Sequence, residues 1–189
     1  MHERLSRVDK LQIIGDYLVA VGGSSYLAAL YVRGMLREWT LSSIITGFIL
    51  SCPTEYIFPR IGWVYYRKCA TYEALPVQTT WILHSLWDAF MLFGIVMIVS
   101  CLYGEDILWR YNEGAAVCMN VLGMAQEIVL EINQTLWYYP PNRINRVWAR
   151  IGGRDMTLQQ WRWSILPQLY YLIIVQLDPA AGPAHALIG

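Results

Sequence analysis

Apolar residues in this chain fall into five runs, separated by stretches where charge, proline and glycine return. The runs cover Leu11 to Val32, Thr40 to Phe58, Thr79 to Tyr103, Ala115 to Tyr139 and Trp161 to Leu177. A helix of about 20 mostly apolar residues crosses a bilayer. The pattern therefore predicts an all-α fold, a polytopic membrane helix bundle with five transmembrane helices. It reads as a single integral membrane domain over residues 1–189, with a mobile Ala/Gly/Pro-rich tail over 178–189. Arg4, Arg7 and Lys10 precede the first run, but Asp16 interrupts it and it is long, so it reads as a retained span rather than a signal peptide. Gly22-Gly23-Ser24-Ser25 allows close helix packing in that span. Pro53 should kink the second span and free backbone carbonyls near Glu55.

The polar positions inside the runs matter more than the runs themselves. Glu127, Glu131 and Gln134 are spaced i, i+4, i+7 and share one helical face; His84 and Asp88, at i, i+4, share another. Thr80 and Asn120 extend these two stripes. Basic residues concentrate at the N-terminus and in the loops 60–78 and 140–160, against Arg33, Arg37 and Arg110 on the other side. That bias places the N-terminus in the cytoplasm of a multi-pass membrane protein. At 1.5 Å of rise per residue, Asp16 and His84 lie roughly 8 Å from the cytoplasmic end of their helices, Glu55 roughly 6 Å and Asp88 roughly 14 Å. Glu131 lies roughly 12 Å in, Glu127 roughly 18 Å and Gln134 roughly 8 Å. All fall in the cytoplasmic half or near the midplane, as the parts of a single site would.

Composition narrows the chemistry. Hydrophobic residues make up 56% of the chain and charged ones 15%, with net charge zero, which argues against a nucleic-acid partner. The four cysteines show no CxxC spacing, so a zinc cage or redox dithiol is not expected. Nine Trp and 13 Tyr exceed what an interfacial belt requires. Trp81 and Trp87 on span three, and Trp161 and Trp163 on span five, are the pocket candidates. Asp16 and Glu55 read most simply as snorkelling or as pairing with a loop Arg, and also as pocket polar groups. Intramembrane carboxyls are costly and mark function. A carboxyl held in an apolar pocket can act as general acid, with a second carboxylate or a His as base. Aromatic faces stabilise a passing cation. This set suits proton-initiated rearrangement of a double bond or epoxide in a lipid-soluble substrate entering from membrane lipids, with no cofactor and no metal. His84, Asp88, Glu127 and Glu131 are the catalytic candidates; Trp81, Trp87, Asn120, Gln134, Trp163, Asp16 and Glu55 would bind substrate.

Trp81-Ile-Leu-His84-Ser-Leu-Trp-Asp88 resembles the W-x-x-H-x-x-x-E pattern of emopamil-binding, sterol-isomerase-like (EXPERA-type) membrane proteins, with Asp for Glu. Trp163-Ser-Ile-Leu-Pro167 is similar to that family's closing W-x-x-L-P segment, and Gln160 stands where the family often has Asn. The resemblance implies that His84 and Asp88 line a pocket, that Glu131 or Glu127 shares the protonation work, with Trp137 about two turns beyond Glu131, and that Trp163 stabilises the cation. The chain is also similar to small fungal membrane terpene cyclases in size, aromatic content and intramembrane acids. The expectation is an isomerase or terpene cyclase-like lyase of sterols or terpenoids. Three other readings stay open: a metal-dependent membrane hydrolase of a lipid amide or ester, a proton-coupled transporter, and a non-catalytic lipid-binding subunit.

Overall fold

The computed structural model describes residues 7–62, 65–66, 77–133, 137–138, 147–151, 154–157 and 160–177, with side chains for residues 7, 9–62, 81–129 and 162–177. Each predicted run forms a helix. Helix α1 (Arg7–Tyr17) passes through a π-helical turn, Leu18–Gly22, into α2 (Gly23–Val32). Helix α3 (Glu38–Cys52) runs through a second π turn, Pro53–Ile57, into the short α4 (Phe58–Arg60). Pro53 has no N–H to donate, so the ladder must widen or break there; the kink expected from the sequence takes the form of this wide turn. Helix α5 (Val77–Tyr103) is the longest, at 27 residues. A 3-10 turn, Glu105–Leu108, leads to α6 (Glu113–Asn133), which Asn112 caps by accepting from the Ala115 N–H at 2.9 Å. A second 3-10 turn, Gln160–Ser164, precedes α7 (Leu166–Ile174).

The architecture is all-α with five helices, but the expectation of five membrane spans is corrected to three. Among the described residues, Asp9–Val32, Glu38–Arg60 and Trp81–Tyr103 are long and apolar enough to cross a membrane. Helix α7 has nine residues, about 14 Å of rise, too short to cross. Helix α6 carries Asn120, Gln126, Glu127, Glu131 and Asn133 along its 21 residues. It ends at Asn133 rather than at Tyr139. Beyond it β2 (Trp137–Tyr138) pairs antiparallel with β1 (Tyr65–Tyr66), and β3 (Val147–Ile151) pairs with β4 (Arg154–Thr157) as a hairpin. In sequence β1, β3 and β4 fall in stretches that read as loops, whereas β2 falls inside the expected fourth span. The β1–β2 pairing joins the chain beyond α4 to the chain beyond α6. The tail 178–189 lies outside the described residues.

Helix α5 is the centre of the bundle: 44% of its apolar stretch is buried, against 17% for α1–α2, which therefore lies at the edge with most of its apolar surface outward. Small residues seat α3 on α5. Ser43, Gly47 and Ser51 are buried at four-residue spacing, and a Cβ on Gly47 would stand 2.9 Å from the Cα of Ala89. This small-xxx-small seam lets the two backbones approach closely. Gly23 meets the ring of Phe90 in the same way, and Gly123 on α6 meets Pro167 and the Trp163 carbonyl.

The interior is divided along the bundle axis. Towards the 33–37 and 104–112 turns it is an apolar core: Trp39, Leu92, Val96, Val99, Ile107, Met119, Tyr170, Tyr171 and Ile174. Tyr170 donates to the Ser43 carbonyl, Tyr171 to the Arg110 carbonyl, and Trp39 to the Ile174 carbonyl, so the polar tips of this core are satisfied. Towards the other end the buried side chains are ionisable.

Candidate functional site

Helix α1 is amphipathic in reverse. Asp9, Gln12 and Asp16 are buried along one face, while Leu11, Ile14 and Leu18 are exposed. In water this would be unstable. In hydrocarbon, the polar face must turn inward to find partners. The Gln12 amide donates to Asp16 Oδ1 at 2.8 Å, one helical turn on.

What α1 faces is His84. Its Nε2 lies 3.7 Å from Asp16 Oδ2, and its Nδ1 makes a 3.2 Å hydrogen bond with Glu55 Oε2. Glu55 sits inside the Pro53–Ile57 π turn, and such widened turns often mark functional positions. The fourth and fifth members are Asp88, one turn beyond His84 on α5, and Arg162 from the 3-10 turn before α7. Arg162 Nη2 is 3.7 Å from both Glu55 Oε1 and Asp88 Oδ2. At that range the guanidinium is an ion-pair partner bridging two carboxylates rather than a short hydrogen-bond donor. Asp16, Glu55, His84 and Asp88 are all buried. The cluster therefore joins α1, the α3 kink, α5 and the turn before α7, with both imidazole nitrogens turned towards carboxylates.

Beside it lies Trp81 Nε1, buried and without a hydrogen bond among the described residues, while the Ser51 hydroxyl adjoins Asp88 and the Ser85 hydroxyl adjoins the Cys52 thiol. An orphaned buried group costs about 1–3 kcal/mol. Trp81 is packed against Tyr56 and Phe48, ring centroids 5.2 and 6.0 Å away. Trp87 lies against α1, its ring 3.6 Å from the place a Cβ on Gly15 would take. Trp163 is buried, with the Arg162 guanidinium 5.9 Å from its ring centre.

Comparison of the chain with models of protein families, with curated proteins and with solved structures finds no match.

The residues expected from sequence divide into those the structure gathers and those it does not. His84 and Asp88 do share a face and a site. Asp16 and Glu55 belong to its centre; neither snorkels, and Glu55 takes the arginine partner that its buried charge requires. Glu127 is buried one turn below the Gly123 contact with Trp163, on the same face of α6. Asn120 is committed elsewhere: it clasps Gln168, donating to Oε1 at 3.0 Å and accepting from the backbone N–H at 3.1 Å, which ties α6 to α7. The Glu131 and Trp161 side chains, Gln134 and the side chain of Trp137 lie outside the described residues. Among the described residues no three His, Cys, Asp or Glu side chains are grouped to hold a metal ion.

Arg162, Asp9, Gln12, Ser51 and Ser85 were missed. Arg162 had a signal: several acids expected at one depth call for a buried cation, and Arg162 is the basic residue that opens the last helical run. The α1 stripe 9, 12, 16 also had one, its i, i+3, i+7 spacing.

Proposed function

We propose that this protein is a membrane-embedded acid–base isomerase or cyclase acting on a lipid-soluble isoprenoid, a terpenoid or sterol, by protonation and carbocation rearrangement. The observation that carries the reading is His84 between Asp16 and Glu55, with Asp88 and Arg162 closing the cluster, all within an apolar bundle. An imidazole flanked this way can relay a proton from one carboxyl to the other, leaving one protonated as the acid that faces substrate and the other ionised as the base. Delivery to a substrate carbon–carbon double bond forms a C–H bond and leaves a carbocation. Loss of a neighbouring proton to the second base gives the isomer and restores the cluster. Attack by another double bond before that loss gives a ring. No cofactor enters the balance.

Three further features support the reading. The aromatic groups Trp81, Trp87 and Trp163 adjoin the cluster elements and suit a developing cation. The unpartnered Trp81 indole N–H could donate to a substrate oxygen. The outward apolar faces of three membrane-spanning helices put the site within reach of molecules dissolved in lipid. Helices α6 and α7 pack on those helices, and the turn before α7 brings Arg162 to the cluster.

A second reading has one observation in its favour. The cluster interlocks four elements, so it could serve as a structural ion-pair lock in a non-catalytic lipid-binding protein.

Solvent deuterium separates the two. Protein in nanodiscs is incubated in D2O with a panel of polyprenyl alkenes, epoxides and sterols, and products are weighed by mass spectrometry. The expected result is a rearranged product carrying one carbon-bound deuterium, lost in His84→Asn and in Glu55→Gln while both variants still purify as the wild type does. Absence of deuterated product across the panel, with loss of folding in both variants, supports the lock instead.

A further inference from the structure

The bundle has a concave feature at the opposite end from the charged cluster, and it plays no part in the acid–base reading. A pocket of about 260 Å³ opens between the 33–37 turn, the start of α3, the far end of α5 and the 105–109 turn. Its interior side is aromatic. Trp39 is buried there, with Trp109 at 5.4 Å and Phe93 at 6.0 Å between ring centres. Its rim carries one cation and one anion, Arg37 and Glu105, both exposed. Among the described residues neither takes part in a salt bridge, and Arg37, at the N-cap of α3, makes no side-chain capping bond. Met97, on the remaining side, is partly exposed and continues into Ile98 and Leu102, which face outward.

Each of these features limits the occupant. Continuity with the outward apolar surface of α5 means that it arrives from the bilayer. A volume just below the usual range for ligand cavities, roughly 300–1,000 Å³, accommodates part of a molecule whose remainder stays in lipid. Two opposite charges at the mouth favour a head with both signs, because a head of one sign would meet its like charge there. Tryptophan faces attract a quaternary ammonium within about 6 Å.

We propose that this pocket is a binding site for a zwitterionic phospholipid of the leaflet opposite the charged cluster, phosphate on Arg37, ammonium between Glu105 and the tryptophans, and one acyl chain against Phe93 and Met97. Two positive-φ glycines, Gly34 at +67° and Gly104 at +91°, make the chain reversals that bring Arg37 and Glu105 to the same rim.

The test uses the full chain in nanodiscs containing equal amounts of photoactivatable phosphatidylcholine and phosphatidylglycerol with identical diazirine-bearing chains. Cross-linked peptides are identified by mass spectrometry. The expected result is at least five-fold more phosphatidylcholine than phosphatidylglycerol on peptides containing Trp39, Phe93 or Met97. Glu105→Ala should abolish that preference, and Arg37→Ala should lower phosphatidylcholine labelling at least three-fold. Both side chains are exposed and take part in no salt bridge among the described residues, so the variants should fold. Equal labelling by the two lipids in the wild type, a preference for phosphatidylglycerol, labelling indifferent to both variants, or no labelling at these peptides would each overturn the proposal. None of these outcomes bears on deuterium incorporation into a product, so the site can fail without the acid–base reading failing.

Discussion

Arg162 decides how the carboxylates can coexist. Glu55 and Asp88 both lie within ion-pair range of its guanidinium, so removing it leaves two buried acids facing each other. Breaking a buried pair by deleting one partner costs about 3–5 kcal/mol. Arg162→Met should therefore lower the unfolding midpoint in detergent more than any single carboxylate-to-amide change in the cluster. Arg162→Lys should recover part of the loss, because a lysine supplies the charge without a fork that reaches two acids at once. Thermal unfolding followed by circular dichroism measures both, and an Arg162→Met protein as stable as wild type would remove the bridging role. His84 calls for a different readout. His84→Asn keeps a donor and an acceptor of similar reach but loses the ring that can hold a proton on either nitrogen. It should spare the fold more than Arg162→Met does, and should stop proton transfer to substrate.

At the scale of elements, glycine positions report where helices touch. A Cβ on Gly47 would stand 2.9 Å from Ala89 Cα, a backbone atom that cannot turn aside. A Cβ on Gly94, five residues further along α5, would meet nothing within 4 Å. Both glycines are inside helices, where alanine is intrinsically better by about 0.5–1 kcal/mol. Gly94→Ala should accordingly stabilise the protein by about that amount, and Gly47→Ala should destabilise it by forcing α3 off α5. The two unfolding curves should move in opposite directions; movement in the same direction would deny the close seam. The seam also bears on the site. Glu55 continues the four-residue spacing of Ser43, Gly47 and Ser51 on the chain, and separation of α3 from α5 would draw it away from His84. Gly47→Ala should then reduce turnover as well as stability, whereas Gly94→Ala should leave turnover unchanged.

For the whole molecule, the division of the interior into an apolar half and an ionisable half is a statement about the membrane. At the ionisable end β1, which follows α4, pairs with β2, which follows α6. With the native cysteines replaced by serine, Ile61→Cys should react with a membrane-impermeant maleimide only from the cytoplasmic side. Asp106→Cys, in the turn after α5, should react only from the other side. Both residues are exposed. Labelling of both positions from one side would mean that α5 does not cross. The same measurement fixes the leaflet in which the pocket rimmed by Arg37 and Glu105 lies.

Read alone, the chain determined where the helices lie, that polar residues gather at one depth, and that His84 and Asp88 share a face. These follow from period, length and rise per residue, which are properties of one helix at a time. It did not determine which helices are spans in their own right, since an apolar run does not say how many of its residues stay helical: the fourth run ends its helix at Asn133 and the fifth makes only a short one. Nor did it determine partners. Asp16 and Glu55, as single residues near helix ends, carry the pattern of snorkelling side chains. They became the flanks of His84 only because Gly47 lets α3 lie against α5 and the π turn at Pro53 places Glu55. Asn120, on a stripe that pointed to a pocket, is held by Gln168 across the α6–α7 contact. Partnership in a membrane bundle depends on which faces meet, and facing is settled by packing between helices rather than by the sequence of any one of them.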